Sequence, residues 1–272
     1  MSNTPKVIAA IPNYNMSKQA LALISQLLPH KFDAIFVLDD HSSDGSPQKI
    51  SKAFPQVIVV EDNKNLGAAG NRNRIIAALR DRSFADDTII VFIDADTTLV
   101  DQKAIVPAVK ELFVKYSDCG MIGGKVLNND GSWGAFNYGP LSLYPWMYTS
   151  FFQVKVENTS KVDPKKAKAL ATKHADLLKD WPNPFAKPIA KEVGWLVETL
   201  VFIKLGIFAE VGGYDPSLRY CEAIDLGRKL KRRNLTRIFD PTLSVKHLQI
   251  DNRGWHRNVE VLLAVLRLSI TR

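Results

Sequence analysis

The chain has 272 residues, 46% of them hydrophobic and 24% charged. That balance belongs to a folded globular protein and excludes both a disordered chain and a disulfide scaffold. Lys and Arg number 36 against 28 Asp and Glu, a formal net charge of +8, which calls for an anionic partner: nucleic acid, an acidic membrane face, or a phosphate-bearing substrate. Cys119 and Cys221 show no metal-ligand spacing and read as ordinary thiols, in keeping with a reducing compartment. The polar start, Met1 to Lys6, lacks the basic and apolar regions of a signal peptide. No run of 18 apolar residues occurs, so a cytoplasmic location without a membrane-spanning helix is expected.

In chain order, the first half alternates short apolar runs with helical periods. Strands are expected at Val7–Ile11, Ile35–Leu38, Val57–Val60 and Ile89–Ile93. Helices are expected at Ser17–Leu28, after Pro47, at Gly67–Arg80 and at Asp101–Tyr116. Such alternation implies an α/β fold, a mostly parallel central sheet with helices on both faces. Residues 120–154 are rich in Gly and aromatic residues and carry few helix signals. A Lys- and Pro-rich excursion over 141–193 has a helical centre near Pro164–Lys179. Strand character returns at Val197–Ile203, a helix is expected at Glu222–Arg233, and an apolar helix at Val259–Ile270 ends the chain. The expected division is a nucleotide-sugar half over 1–118, an acceptor half over 119–258 and a terminal helix over 259–272.

Open parallel sheets bind ligands at the carboxyl ends of their strands. Asn13 and Tyr14 follow the first expected strand, Asp39 and Asp40 the second, and Asp94 and Asp96 the fourth. Four carboxylates at one rim repel, and a divalent cation held by oxygen ligands, Mg²⁺ or Mn²⁺, is the simplest compensator. The small residues from Gly67 to Gly70 open a helix whose N–H groups could approach an anion, with Arg72 adding a planar donor fork.

Together these residues resemble the family 2 glycosyltransferases. Leu38-Asp39-Asp40-His41-Ser42-Ser43-Asp44-Gly45-Ser46 is similar to the family's D-D-x-S-x-D-G-[ST] signature. Ile11 to Asn15 resembles its opening strand motif, Asn65 to Asn73 its N-x-G-x-x-x-x-R-N stretch, and Asp94-Ala95-Asp96 its metal triplet. Gly212-Gly213-Tyr214-Asp215 with Glu222 to Leu226 resembles the G-G-[FY]-D … E-D-x-D-L block, His247 the late metal histidine, and Trp255 to Asn258 the R-N element. The resemblance implies a Rossmann-like GT-A fold and an inverting transfer of a hexose from a nucleotide-diphosphate sugar, UDP-linked by preference or dTDP-rhamnose. The implied acceptor is a glycan, a glycoprotein or a lipid-linked saccharide. It implies that Asp40 binds the nucleobase between Pro12 and Tyr14, that Gly67, Arg72 and Asn73 lie near base and diphosphate, and that Asp94 and Ala95 lie at the ribose. Asp96 and His247 would hold Mn²⁺ or Mg²⁺.

One departure stands out. The family's usual base is the second acid of its E-D pair, where this chain has Ala223. Glu222, Asp225 one turn on, and Glu198 remain as candidates, with an inactive or partner subunit as the reading from another class. Asp94 to Thr98 also fits a haloacid-dehalogenase phosphatase motif, but that motif follows the first strand of its core. The aromatic residues Trp133, Phe136, Tyr138, Tyr144, Trp146, Tyr148, Phe151 and Phe152 either line the acceptor site or form satellite core. The charge is uneven: residues 219–272 carry a net +7 and the rest +1. That places the phosphate partners on the C-terminal side, allows peripheral membrane contact there, and leaves no nucleic acid to explain.

Overall fold

The computed structural model describes residues 4–100, 104–133, 137–160 and 162–248, with Ala264, Arg267 and Leu268 near the C-terminus; residues 143–148, 150, 151 and 157 are described in backbone only. The strands β1 (Val7–Asn13), β2 (Ala34–Asp39), β3 (Ile58–Val60) and β4 (Ile89–Ile93) alternate with helices α1 (Ser17–Leu27), α2 (Ser46–Ala53) and α3 (Gly67–Arg80). After β4 come β5 (Thr97–Leu99), α4 (Ile105–Lys115), β6 (Cys119–Leu127), β7 (Tyr138–Gly139), α5 (Leu143–Ser160) and α6 (Pro164–Lys173). The remainder is β8 (Lys191–Glu192), β9 (Trp195–Leu196), β10 (Leu200–Lys204), α7 (Leu205–Glu210), α8 (Glu222–Arg232) and β11 (Thr236–His247).

The sheet runs β3-β2-β1-β4-β10-β6-β11-β5. β1 pairs in parallel with β2 and β4, and β6 in parallel with β11, while β10 lies antiparallel between β4 and β6. Alternate residues of each central strand face opposite layers. Val7, Ala9 and Ile11 pack under α1 and α4, with Leu23, Leu27 and Val109. Ile8 and Ala10 pack against α3 and α7, with Ile75, Leu79 and Phe208. Both faces are therefore covered, as the alternation of strands and helices required. Strand order reverses between β1 and β4, and the carboxyl ends of β1, β2 and β4 open there.

Three elements differ from the expectation. β6 was not foreseen, because Gly120, Gly123 and Gly124 break its apolar run. The glycines are required by close packing: a Cβ on Gly124 would stand 2.3 Å from Leu200 Cδ2 and 2.9 Å from the Leu243 carbonyl. β11 carries Asp240 and Pro241 within it, which masked its length; a register shift between Phe239 and Ser244 absorbs them. Residues 143–154 are helical within α5, with Pro145 in the first turn, where its missing N–H costs nothing.

A third cluster joins the excursion to the body. Val156, Leu178 and Trp181 pack with Trp195, Ala223, Ile224, Ala264 and Leu268. Trp181 Nε1 donates to Thr149 Oγ1 at 2.7 Å and Gln153 Nε2 to the Pro182 carbonyl at 2.8 Å. Ala264 and Leu268 of the expected terminal helix are thus buried against α8. Among the described residues no helix is long and apolar enough to cross a membrane.

Replacing Gly124 by Val should overpack the β6–β10 contact and lower the free energy of unfolding by about 1–3 kcal/mol. Urea denaturation checks this; an unchanged midpoint would mean the strands can separate at no cost.

Candidate active site

The first rim is built where β1 and β2 end side by side. Asn13 Nδ2 donates to Asp39 Oδ2 at 2.7 Å, and the Asp39 Oδ1 accepts the Ser42 N–H at 2.8 Å. Asp40 accepts the N–H groups of Leu66 at 2.7 Å and Gly67 at 3.0 Å, so it caps α3 from a distant strand. Burial raises the Asp40 pKa, against the pull of those two bonds and of Arg74. Asp44 accepts from Ser17 N and from both the N–H and hydroxyl of Ser46, joining the starts of α1 and α2. Partial burial would raise its pKa, but these bonds hold the carboxyl down at about 2. The D-D-x-S-x-D-G segment is therefore a folded turn in which Asp39 and Asp44 shape the loop.

The second rim follows β4. β5 turns back and pairs with the end of β11, setting His247 opposite Thr97. His247 Nε2 lies 3.2 Å from Asp96 Oδ1, and ligand atoms of Asp94, Asp96 and His247 all fall within 4.8 Å of one another. Burial lowers the His247 pKa, but the Asp96 contact and the two carboxylate charges outweigh it, and the net shift is upward. Two carboxylate oxygens and an imidazole nitrogen suit Mn²⁺, and the carboxylates suit Mg²⁺.

Arg72 lies behind this group, 6% exposed, with Nη2 2.5 Å from Asp94 Oδ1. Burial works against its charge, but Asp94 and then Glu198 more than restore it. Glu198 precedes β10 and stands well above the usual carboxylate range, first through burial and then through the nearby Glu222, with Arg72 opposing. Glu222 opens α8, after Cys221 turns the chain through a left-handed conformation (φ 64°). Asp225 Oδ2 is paired with Lys229 Nζ at 2.7 Å, and that amine also donates to the Gly213 carbonyl at 2.9 Å.

A sequence model described as "Glycosyl transferase family 2" matches residues 9–156. The chain belongs to glycosyltransferase family 2. It is 24% identical over 237 residues to the N-acetylglucosaminyl-diphospho-decaprenol L-rhamnosyltransferase of Mycobacterium tuberculosis, covering 81% of this chain and 68% of that protein. Its fold is similar to a crystal structure of GalNAc-T7 with UDP, GalNAc and Mn²⁺, at a TM-score of 0.60 and 15% identity, spanning 94% of this chain and 46% of that one. It is also similar to residues 1–349 of TarS from S. aureus, at a TM-score of 0.53 and 14% identity, spanning 87% of this chain and 60% of that one. The chain is a glycosyltransferase with the expected GT-A architecture.

Against this geometry several expectations change. Asp39 and Asp40 do not join a four-carboxylate cation site: each oxygen of both accepts a hydrogen bond from a neighbouring segment, and among the described residues it is Asp94 and Asp96 that meet His247. The N–H of Gly67 faces Asp40 rather than an open anion cradle. Arg72 is buried on Asp94 instead of offering an open donor fork, and the Asn73 side chain exchanges two hydrogen bonds with the Tyr214 backbone, at 2.7 and 2.9 Å. Asp225, a candidate base, is ion-paired with Lys229. Pro12 is half-buried, Tyr14 is 50% exposed at the rim, and Ala95 is buried beneath the triplet. Trp133 stacks on Phe239, Tyr138 is buried and meets the same ring at a tilt, and Phe152 packs on His174, so these three pack on or within the core clusters. Phe136, Trp255 to Asn258, and the side chains of Tyr144, Trp146, Tyr148 and Phe151 lie outside the described residues. The close meeting of Arg72 with Asp94 was not read from sequence; the helical spacing that turns Arg72 inward with Ala69 and Ile75 was its available signal.

Replacing Arg72 by Met should cost about 3–5 kcal/mol of stability, because it strands buried carboxylates without a counter-charge. A denaturation midpoint that moved by less than 1 kcal/mol equivalent would contradict the burial of the pair.

Proposed function

We propose that the chain transfers a neutral sugar from a nucleotide-diphosphate donor to a saccharide acceptor by a single in-line displacement that inverts the anomeric carbon. The observation that carries this reading is the Asp94–Asp96–His247 group at the carboxyl end of β4, beside the nucleotide-facing rim of β1 and β2. Asp96 and His247, with Asp94, would hold Mn²⁺ or Mg²⁺. Such an ion, when bound, neutralises the charge of the leaving diphosphate.

The remaining steps belong to the chain itself. Asp40 keeps a free lone pair on each oxygen for a nucleobase N–H, with Pro12 and Tyr14 at the pocket wall. Glu222 takes the proton of the acceptor hydroxyl as the new bond forms. Asp225, one turn on, is ion-paired with Lys229. Glu222 thus stands in for the acid missing at Ala223, and its place beside Arg72 and Glu198 supports the assignment. The Mycobacterium tuberculosis relative is named for rhamnosyl transfer to a lipid-linked N-acetylglucosamine, which supports dTDP-rhamnose as a donor alongside the UDP-sugars and a lipid-linked acceptor. The basic residues of α8 and beyond suit an anionic acceptor of that kind.

The test is a mass-spectrometric transfer assay with UDP-sugars and dTDP-rhamnose against saccharide and lipid-linked acceptors. Glu222→Gln should lower kcat by roughly 10²–10⁴-fold and leave donor affinity nearly unchanged. Full activity in that variant would remove Glu222 as the base, and no transfer from any donor by the wild-type chain would remove the reading.

A further inference from the structure

Glu198 takes no part in the steps above, yet it sits at their centre. Leu200 pairs with Ile93, and the Asp94 N–H donates to the Thr199 carbonyl at 3.2 Å. Glu198 is the residue before Thr199, so it stands beside the start of Asp94-Ala95-Asp96. The charges of Arg72, Glu222 and Asp94 all bear on its carboxyl. Its Oε1 is buried and has no hydrogen-bond partner among the described residues, and neither has the Nε of Arg72. A buried polar atom left unpaired costs about 1–3 kcal/mol, so the site holds an acceptor and a donor that the protein itself leaves unmatched. Glu198 as a residue is half-buried, and the terminal torsion of a Glu is broad and two-fold. A turn of the carboxyl therefore exchanges its two oxygens between their positions.

A sugar hydroxyl is the group that fits, since it donates one hydrogen bond and accepts others. Resting on the proposed transferase reading, the diphosphate lies at Asp94, Asp96 and His247, and the acceptor hydroxyl at Glu222. The group between them is the sugar in transit. We propose that Glu198 hydrogen-bonds a hydroxyl of the transferred sugar and so selects the donor by its sugar rather than by its nucleotide. A site built to bond a hydroxyl discriminates strongly against a ligand that lacks it, because its polar atoms are then left unpaired.

Calorimetric titration with UDP, dTDP, UDP-N-acetylglucosamine and dTDP-rhamnose in Mn²⁺ tests this on the wild-type chain and on Glu198→Ala and Glu198→Gln. Glu198→Ala should weaken the preferred nucleotide sugar by about tenfold or more, equivalent to about 1.4 kcal/mol, while UDP and dTDP keep their affinity. Glu198→Gln, which can still donate and accept, should retain most of the sugar-dependent affinity. A merely structural role would shift the melting temperature and leave the ratio of nucleotide-sugar to nucleotide affinity unchanged, which overturns the inference. A Gln variant as impaired as the Ala variant also overturns it. Failure of the wild-type chain to bind any of the four ligands would instead sink the transferase reading itself, a result distinct from an unchanged ratio.

Discussion

The buried ion pair between Arg72 and Asp94 is the constraint on which the rest of the site depends. It ties the middle of α3 to the end of β4 across the point where strand order reverses. Removing two charges from water is costly, and an apolar pair of similar volume is often as stable. Its value here is positional. With Nη2 on Asp94, the guanidinium sits among Asp94, Glu198 and Glu222 and offsets part of their mutual repulsion. It allows Asp94, Glu198 and Glu222, acids from three segments of chain, to share one small volume.

A second set of bonds frames the rim where β1 and β2 end. Asp40 reaches from β2 to cap α3, and Asp44 joins the starts of α1 and α2. Asn73 holds the turn at Gly213 and Tyr214, which leads to α8. The motifs of the sequence are thus largely structural at the level of single residues. Asp39, Asp44 and Asn73 fix loops, and the residues left for ligands are the ones those loops present.

This explains what was legible beforehand. The strands β1, β2 and β4 and the helix α3 announce themselves through apolar runs and helical spacing, because local pattern and burial agree there. The resemblance set Asp96 and His247 at one expected metal site and Asp94 at the ribose; the fold brings all three within reach of one another, although His247 lies 151 residues from Asp96. Two strands were hidden by the residues that make them work: glycines in β6 that admit Leu196 and Leu200, and the Asp240-Pro241 irregularity in β11. The partners of Asp40, Arg72 and Asp225 were not legible, since each is a contact between segments distant in chain or a choice among several equivalent cations. A lone Glu198 ahead of a strand gave no hint of its burial beside Arg72. That property belongs to the fold and not to any local pattern.

The central claim is that Asp94, Asp96 and His247 form a cation-assisted diphosphate site. Calorimetric binding of UDP and dTDP to the wild-type chain and to Asp96→Asn, each with Mn²⁺ and with EDTA, tests it most directly. The account predicts binding by the wild-type chain that weakens by about tenfold or more when Mn²⁺ is withdrawn, and a variant for which Mn²⁺ no longer matters. Binding equally tight in all four conditions, or absent from the wild-type chain with Mn²⁺ present, would contradict it.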